Sequence, residues 1–256
     1  MSMRDLMVRG LLAGLIAGVL GFCWLKTFGE PQVNRAIKVE EQIARAHHEP
    51  EEPELVSRDV QSTAGLATGV FAIAIAFGGL FALAFAAAYG RMGSAGPRTT
   101  SLVVALLGFT AIYLVPFFKY PANPPSVGQP DTIGRRTALY FVLMLISLAV
   151  TTGAVVLRRR LLARHGAWNA TLLAAGAFIV VVGLTWQLLP GINEVPEEFP
   201  AVTLWRFRVA SLGAQLLVWT TIGLVFGALS ERATVRSARL TALRESLSVP
   251  AYGPQS

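Results

Sequence analysis

Thr63-Ala-Gly-Leu-Ala-Thr-Gly-Val-Phe-Ala-Ile-Ala-Ile-Ala-Phe-Gly-Gly-Leu-Phe-Ala-Leu-Ala-Phe-Ala-Ala-Ala-Tyr89 carries no charge, and no Asp, Glu, Lys or Arg occurs anywhere between Asp59 and Arg91. About 20 consecutive apolar residues are enough to cross the hydrocarbon of a bilayer as a helix. Backbone amides in lipid must bond within their own segment, so the stretch reads as a helix and not as an open strand. Five more charge-free intervals follow the same pattern: Arg9 to Lys26, Arg98 to Lys119, Arg136 to Arg158, Arg164 to Glu194 and Arg208 to Glu231. The first is the shortest, at 16 residues, but Arg9 and Lys26 can snorkel to either surface. Of the 256 residues 54% are hydrophobic and only 14% charged, against about 25% charged in soluble domains. Water cannot be the solvent over most of such a surface. The sequence therefore predicts an all-α integral membrane protein, a bundle of about six transmembrane helices whose first partner is the lipid bilayer.

The predicted spans are 6–28, 63–89, 99–118, 137–157, 168–189 and 209–229. With six, both termini share a side. Cytoplasmic loops are enriched in Lys and Arg, and the run Arg158-Arg159-Arg160 in a short loop places that side in the cytoplasm. Residues 1–230 then form the transmembrane domain, with a long extracytoplasmic loop at 29–62. Residues 231–256 form a basic cytoplasmic tail, expected to be disordered. The net charge of +7 is distributed as topology signals beside the spans, which argues against nucleic acid as a partner. The extracytoplasmic side holds ten basic residues and twelve acidic ones, a net charge of −2 that attracts cations. Its first loop has Ala36, Val39, Ile43 and His47 at helical spacing, with Glu41 and Arg45 at i, i+4. The other two loops are proline-rich (Pro121, Pro124, Pro125 and Pro130; Pro190, Pro196 and Pro200), and each is expected to begin where a proline, Pro116 or Pro190, closes a helix.

Several chemistries are disfavoured. The single cysteine, Cys23, allows no intramolecular disulfide and no cysteine metal cluster. No small-x-small pattern surrounds it, so the first span reads as uncleaved. There is no GxxxxGK[ST], HExxH or GxSxG, and no paired nucleophile and base. The chain reads as no enzyme, with no tightly bound cofactor.

Three groups of polar residues are candidates for binding. His47, His48 and Glu49, followed by Glu51, Glu52 and Glu54, combine imidazole and carboxylate in the manner of a first-row transition-metal site. The plain alternative is a hydrated acidic loop. Asn193, Glu194, Glu197 and Glu198 form a second group, with Glu194 and Glu197 three apart. The alternative there is surface charge neutralised by Arg206 and Arg208. Asn123 and Asp131 are a fainter third. No carboxylate or histidine lies inside a span, so a path through the bundle would rely on Thr110, Thr151, Thr152, Thr185, Gln187 or Gln215. Gly10, Gly14 and Gly18 form a small-xxx-small strip suited to close helix contact, and Gly65 and Gly69 begin a second. Trp24, Trp168 and Trp205 flank span ends as interface anchors.

Four strings carry a resemblance: Leu55-Val-Ser-Arg-Asp-Val-Gln-Ser-Thr-Ala-Gly65, Phe117-Phe-Lys-Tyr-Pro-Ala-Asn-Pro-Pro125, Asp131-Thr-Ile-Gly-Arg-Arg136, and Asn193-Glu-Val-Pro-Glu-Glu-Phe-Pro-Ala-Val-Thr-Leu-Trp-Arg-Phe-Arg-Val-Ala-Ser-Leu212. They resemble the CbtA family of probable cobalt transporter subunits from the first span to the sixth. The resemblance implies an inner-membrane protein that supplies cobalt for cobalamin synthesis, with the cobalt ion as substrate. It also implies a small single-span, histidine-bearing partner subunit. The family's first outer loop is often richer in histidine, and this chain has His47 and His48 there. Uptake of a divalent metal ion and a non-transporting scaffold or assembly role are the two readings carried forward. In the first, His47, His48, Glu49, Glu194 and Glu197 are the metal ligands.

Overall fold

In a computed structural model, residues 2–46, 48, 56–125 and 127–248 are described, and every regular element among them is helical. We number five long helices: α1 Met3–Ala46, α2 Arg58–Ala88, α3 Pro97–Lys119, α4 Ile133–Leu188 and α5 Ala201–Ser248. Each contains a stretch long and apolar enough to cross a membrane. The exposed apolar side chains fit a lipid surrounding. Ile179 is 68% exposed and Leu145 61% exposed on α4, positions that water would not tolerate as a continuous face.

The bundle is centred on α1, α2 and α5, with α3 against α5. Glycine decides how closely these helices approach. A Cβ on Gly10 would collide with the Gly78 carbonyl, and one on Gly14 with the carbonyl of Ala74. The predicted Gly10, Gly14 and Gly18 strip therefore seats α1 on α2. Its counterpart on α2 differs from the expected one. Ala74, Gly78 and Ala82 line the contact, whereas nothing lies within 4 Å of a Cβ placed on Gly69, and Gly65 meets only its own helix. The Gly65 and Gly69 strip ends at Ile73, and the contact forms on a second strip in another register, towards the middle of the helix. Tryptophans fill two more glycine notches, Trp24 over Gly213 and Trp219 over Gly108. Trp24 Nε1 donates to the Ala210 carbonyl at 2.9 Å, so this residue is tied into the bundle, while Trp168 and Trp205 remain exposed as anchors would. Phe81, Phe85, Ile222 and Phe226 close the centre.

Pro116 does not end α3, as expected from sequence. It is fully buried, and the helix continues to Lys119. A π-helical segment at Phe109–Leu114 ends one residue short of it. The wider turn takes up the carbonyl that a proline would otherwise strike.

Helix α4 is two helical arms that meet at a sharp reversal. Gly166 has φ 71° and ψ 169°, a combination open to glycine alone. The two arms fold back on each other. Leu143 and Val182 share one core cluster, although a straight helix would separate them by roughly 58 Å at 1.5 Å per residue. Arg158 Nε also donates to Thr171 Oγ1 at 2.8 Å. The spans predicted at 137–157 and 168–189 are thus the two arms of one hairpin.

The tail expected to be disordered from residue 231 instead continues α5 to Ser248. Ala, Arg and Leu dominate this segment, and no Gly or Pro interrupts it before Pro250. An Arg98–Glu231 ion pair joins α3 to α5 where the extension begins. This is one end of the bundle, rich in arginine. The connections 120–129 and 189–200 lie together at the other.

Candidate functional site

The loop end is assembled from three segments far apart in sequence. The outer half of α1, Glu30–Ala46, is the surface helix predicted from the spacing of Ala36, Val39 and Ile43, and Glu41 pairs with Arg45 at 3.9 Å. Its buried Ala36, with Val39 beside it, packs against Val127 and Phe199 from the other two connections. Arg58, at the start of α2, pairs with Glu30 and donates to Asn34 Oδ1 at 2.9 Å. Lys26 donates to the Ser62 carbonyl at 2.9 Å. Both ends of the stretch joining α1 to α2 are therefore anchored.

The two proline-rich connections are joined through Glu194. Its Oε2 accepts from the Gln129 amide at 3.0 Å and from Thr132 Oγ1 at 2.8 Å, and it lies 3.4 Å from Arg136 Nε. These donors hold the carboxyl group below its ordinary pKa, the Gln129 amide contributing most, then the Thr132 hydroxyl, then the positive charge of Arg136. Arg136 is positioned in turn by Gly128. That glycine has φ 119°, and a Cβ there would overlap the guanidinium. Arg136 donates to the Gln129 carbonyl at 3.2 Å. The α4 terminus is closed in the same neighbourhood. Lys119 Nζ donates to the Trp186 carbonyl at 2.7 Å, one of the last carbonyls of α4, and Tyr120 donates to the Pro190 carbonyl at 2.8 Å.

Between these connections and the start of α4 lies a cavity of about 580 Å³. Tyr120, Asn123, Arg136, Tyr140, Glu194 and Arg208 are among its lining residues. Arg208, half-buried near the start of α5, donates to Asn123 Oδ1 at 2.8 Å and to the Ala122 carbonyl at 3.3 Å.

Of the candidate metal ligands, His47 and Glu49 lie outside the described residues, as do Glu51, Glu52 and Glu54. His48 is exposed, in a left-handed turn with φ 58°. Glu197 and Glu198 are exposed just before α5, where the positive end of a helix dipole favours carboxylates. Among the described residues, no three of His, Cys, Asp and Glu gather as a metal-binding group. Glu194 finds a cation, but the cation is Arg136, not the Arg206 or Arg208 expected from sequence. Nothing local in the sequence marks Gly128, and the one signal for Arg136 is the coincidence of an acid in one proline-rich connection with the basic pair Arg135-Arg136 that ends the other.

The family model of CbtA, described as a probable cobalt transporter subunit, matches residues 3–231. No curated protein and no solved structure matches the chain.

Proposed function

The chain belongs to the CbtA family, and from that premise we propose that it is a multi-pass plasma-membrane subunit for Co²⁺ uptake, with no catalytic activity of its own. The observation that carries the reading is the reach of the family match, which takes in all five apolar helices and the connections between them.

Six crossings follow if α4 makes two. Thr132 precedes α4 and Glu194 follows it, yet their side chains are 2.8 Å apart. Both ends of α4 therefore sit at the loop end of the bundle, which favours an even number of passes within it. Arg158, Arg159, Arg160, Arg232, Arg236 and Arg239 then face the cytoplasm with both termini, as the positive-inside rule prefers. The three acidic segments face outward.

On that face the net negative charge concentrates a divalent cation. His47, His48 and Glu49 exchange for some of its waters, and the exposed Glu197 extends the acidic surface. Glu194 holds the two proline-rich connections in register above the bundle. The family's association with a small single-span, histidine-bearing subunit supplies further imidazole, and cobalamin synthesis is the consumer of the metal.

The test is reconstitution in liposomes, with and without the single-span subunit, across Co²⁺, Ni²⁺, Zn²⁺ and Mg²⁺. Protein-dependent accumulation of Co²⁺ is expected. His47→Ala with His48→Ala should reduce the rate by at least a few-fold. No metal accumulation under any condition would defeat the uptake reading, and an unchanged rate in the double variant would remove the histidines from it.

A further inference from the structure

The cavity beneath the proline-rich connections has the wrong charge for a bare metal ion. It is lined by two guanidinium groups, Arg136 and Arg208, and by one carboxylate, Glu194. Glu194 already accepts from the Gln129 amide and the Thr132 hydroxyl and faces Arg136. Its charge is matched by Arg136. That leaves Arg208, whose acceptors are an amide oxygen and a carbonyl, both neutral, and which has no carboxylate partner among the described residues. A guanidinium presents five N–H donors in a planar fork and stays charged at any accessible pH. Two of the Arg208 nitrogens, Nε and Nη2, are engaged, so donors on Nη1 remain. Arg136 Nε has no hydrogen-bond partner although it is buried, its ionic contact with Glu194 being long at 3.4 Å.

Half-buried cations beside unfilled space call for an anion. A hydrated divalent cation would be repelled here, whereas a planar oxyanion would complete the Arg208 fork. Tyr120, Asn123, Thr137, Tyr140 and Asn193 add neutral polar groups around the same space, enough to orient a small molecule bearing hydroxyl and carboxyl groups. The volume of about 580 Å³ lies within the range of small-molecule sites.

We propose that this cavity binds a small carboxylate, free or as part of the ligand shell of a divalent metal ion, with Arg208 as its anchor. In the second case the metal is received as a carboxylate complex: the acidic outer segments meet its positive side and Arg208 its carboxylate. That part rests on the uptake reading above. Carboxylate binding itself does not.

The experiment uses the full chain in nanodiscs of zwitterionic lipid and follows binding by calorimetry. The probes are citrate, its one-to-one cobalt(II) complex, cobalt(II) chloride and inorganic phosphate. Saturable binding of citrate, the cobalt complex or both is expected, weakened at least tenfold by Arg208→Gln and less by Arg208→Lys. Arg206→Gln, at an exposed position outside the lining, should leave it unchanged. If only free citrate binds, the site takes the acid alone. If the complex binds more tightly, the site takes the metal-loaded form. Absence of citrate and complex binding in the unaltered protein overturns the proposal, as does binding indifferent to Arg208→Gln. Displacement of citrate by a short-chain anionic phospholipid at lower concentration than by citrate itself would assign the cavity to a lipid headgroup and also overturn it. Should Arg208→Gln not fold, Asn123→Ala, which removes the side chain orienting Arg208, is expected to weaken binding several-fold. Liposomal Co²⁺ uptake is measured separately. Uptake without carboxylate binding sinks this inference alone, and carboxylate binding without uptake sinks only the transport reading.

Discussion

Glu194 shows how a residue can be chosen correctly from sequence and given the wrong neighbours. Its carboxylate stood out as an acid in a proline-rich segment, but its partner Arg136 lies 58 positions earlier, and no local spacing announces a pairing set by how two connections meet. Gly128 was equally silent, because a glycine in a loop has many uses and only the positive φ and the guanidinium above it identify this one. The contact has a pH signature. The folded-state pKa of Glu194 is depressed, so its contribution is fully present above the ordinary carboxylate pKa and is lost as pH falls through the lower folded value. The Gln129 amide, which donates to it, reports the loss directly. At neutral pH, Glu194→Gln should speed hydrogen exchange at Gln129 several-fold, after correction for intrinsic rates. Wild type and variant should converge on acidification below the usual carboxylate range. Exchange at Gln129 that is identical in the two proteins at neutral pH would show that the carboxylate does not hold the connections.

At the scale of elements, the apolar spans were legible because lipid enforces a simple rule: uncharged, about 20 residues, helical. The boundaries were not, since helices outlast the bilayer wherever the chain offers good helix formers. The segment 158–167 read as a loop, yet Leu161, Leu162 and Ala163 carry the first arm of α4 to the edge of Gly166, and residues beyond Ser230 continue α5 in the same way. Pro116 misled in the opposite direction, because the π turn that accommodates it leaves no mark in composition. Gly166 is then the single residue on which the α4 hairpin turns. Any side chain there must adopt a conformation that costs about 1–3 kcal/mol. In a Cys23→Ala background, cysteines at positions 158 and 171, whose native side chains are hydrogen-bonded, should be joined efficiently by a short thiol crosslinker. Adding Gly166→Ala should lower the yield and the thermal stability together. An unaffected yield would mean that the reversal does not depend on this glycine.

For the whole molecule the decisive quantity is parity. A count of long apolar helices gives five, and an odd number would place the termini in opposite compartments. The side-chain network argues for an even number. Gln129, Thr132 and Arg136 are bonded to Glu194 across the ends of α4, so the polypeptide must return to its starting side between them. Thiol labelling in intact cells separates the two cases, because the sole native cysteine can be removed and single cysteines introduced at Ser94, Arg164, Gly191 and Ser237. Six crossings predict that a membrane-impermeant maleimide reaches position 191 alone, and that 94, 164 and 237 react only after permeabilisation. If α4 crossed once, 191 and 164 would not be divided in this way, and 237 would change sides relative to 94. The same pattern sets the direction of chemistry. With position 191 outside, the Glu194 contact and the Arg208 cavity face incoming solute, and the arginine end with its Arg98–Glu231 pair faces the cytoplasm. With position 191 protected, the cavity could serve only release, and the attraction of cations to an acidic outer face would lose its basis.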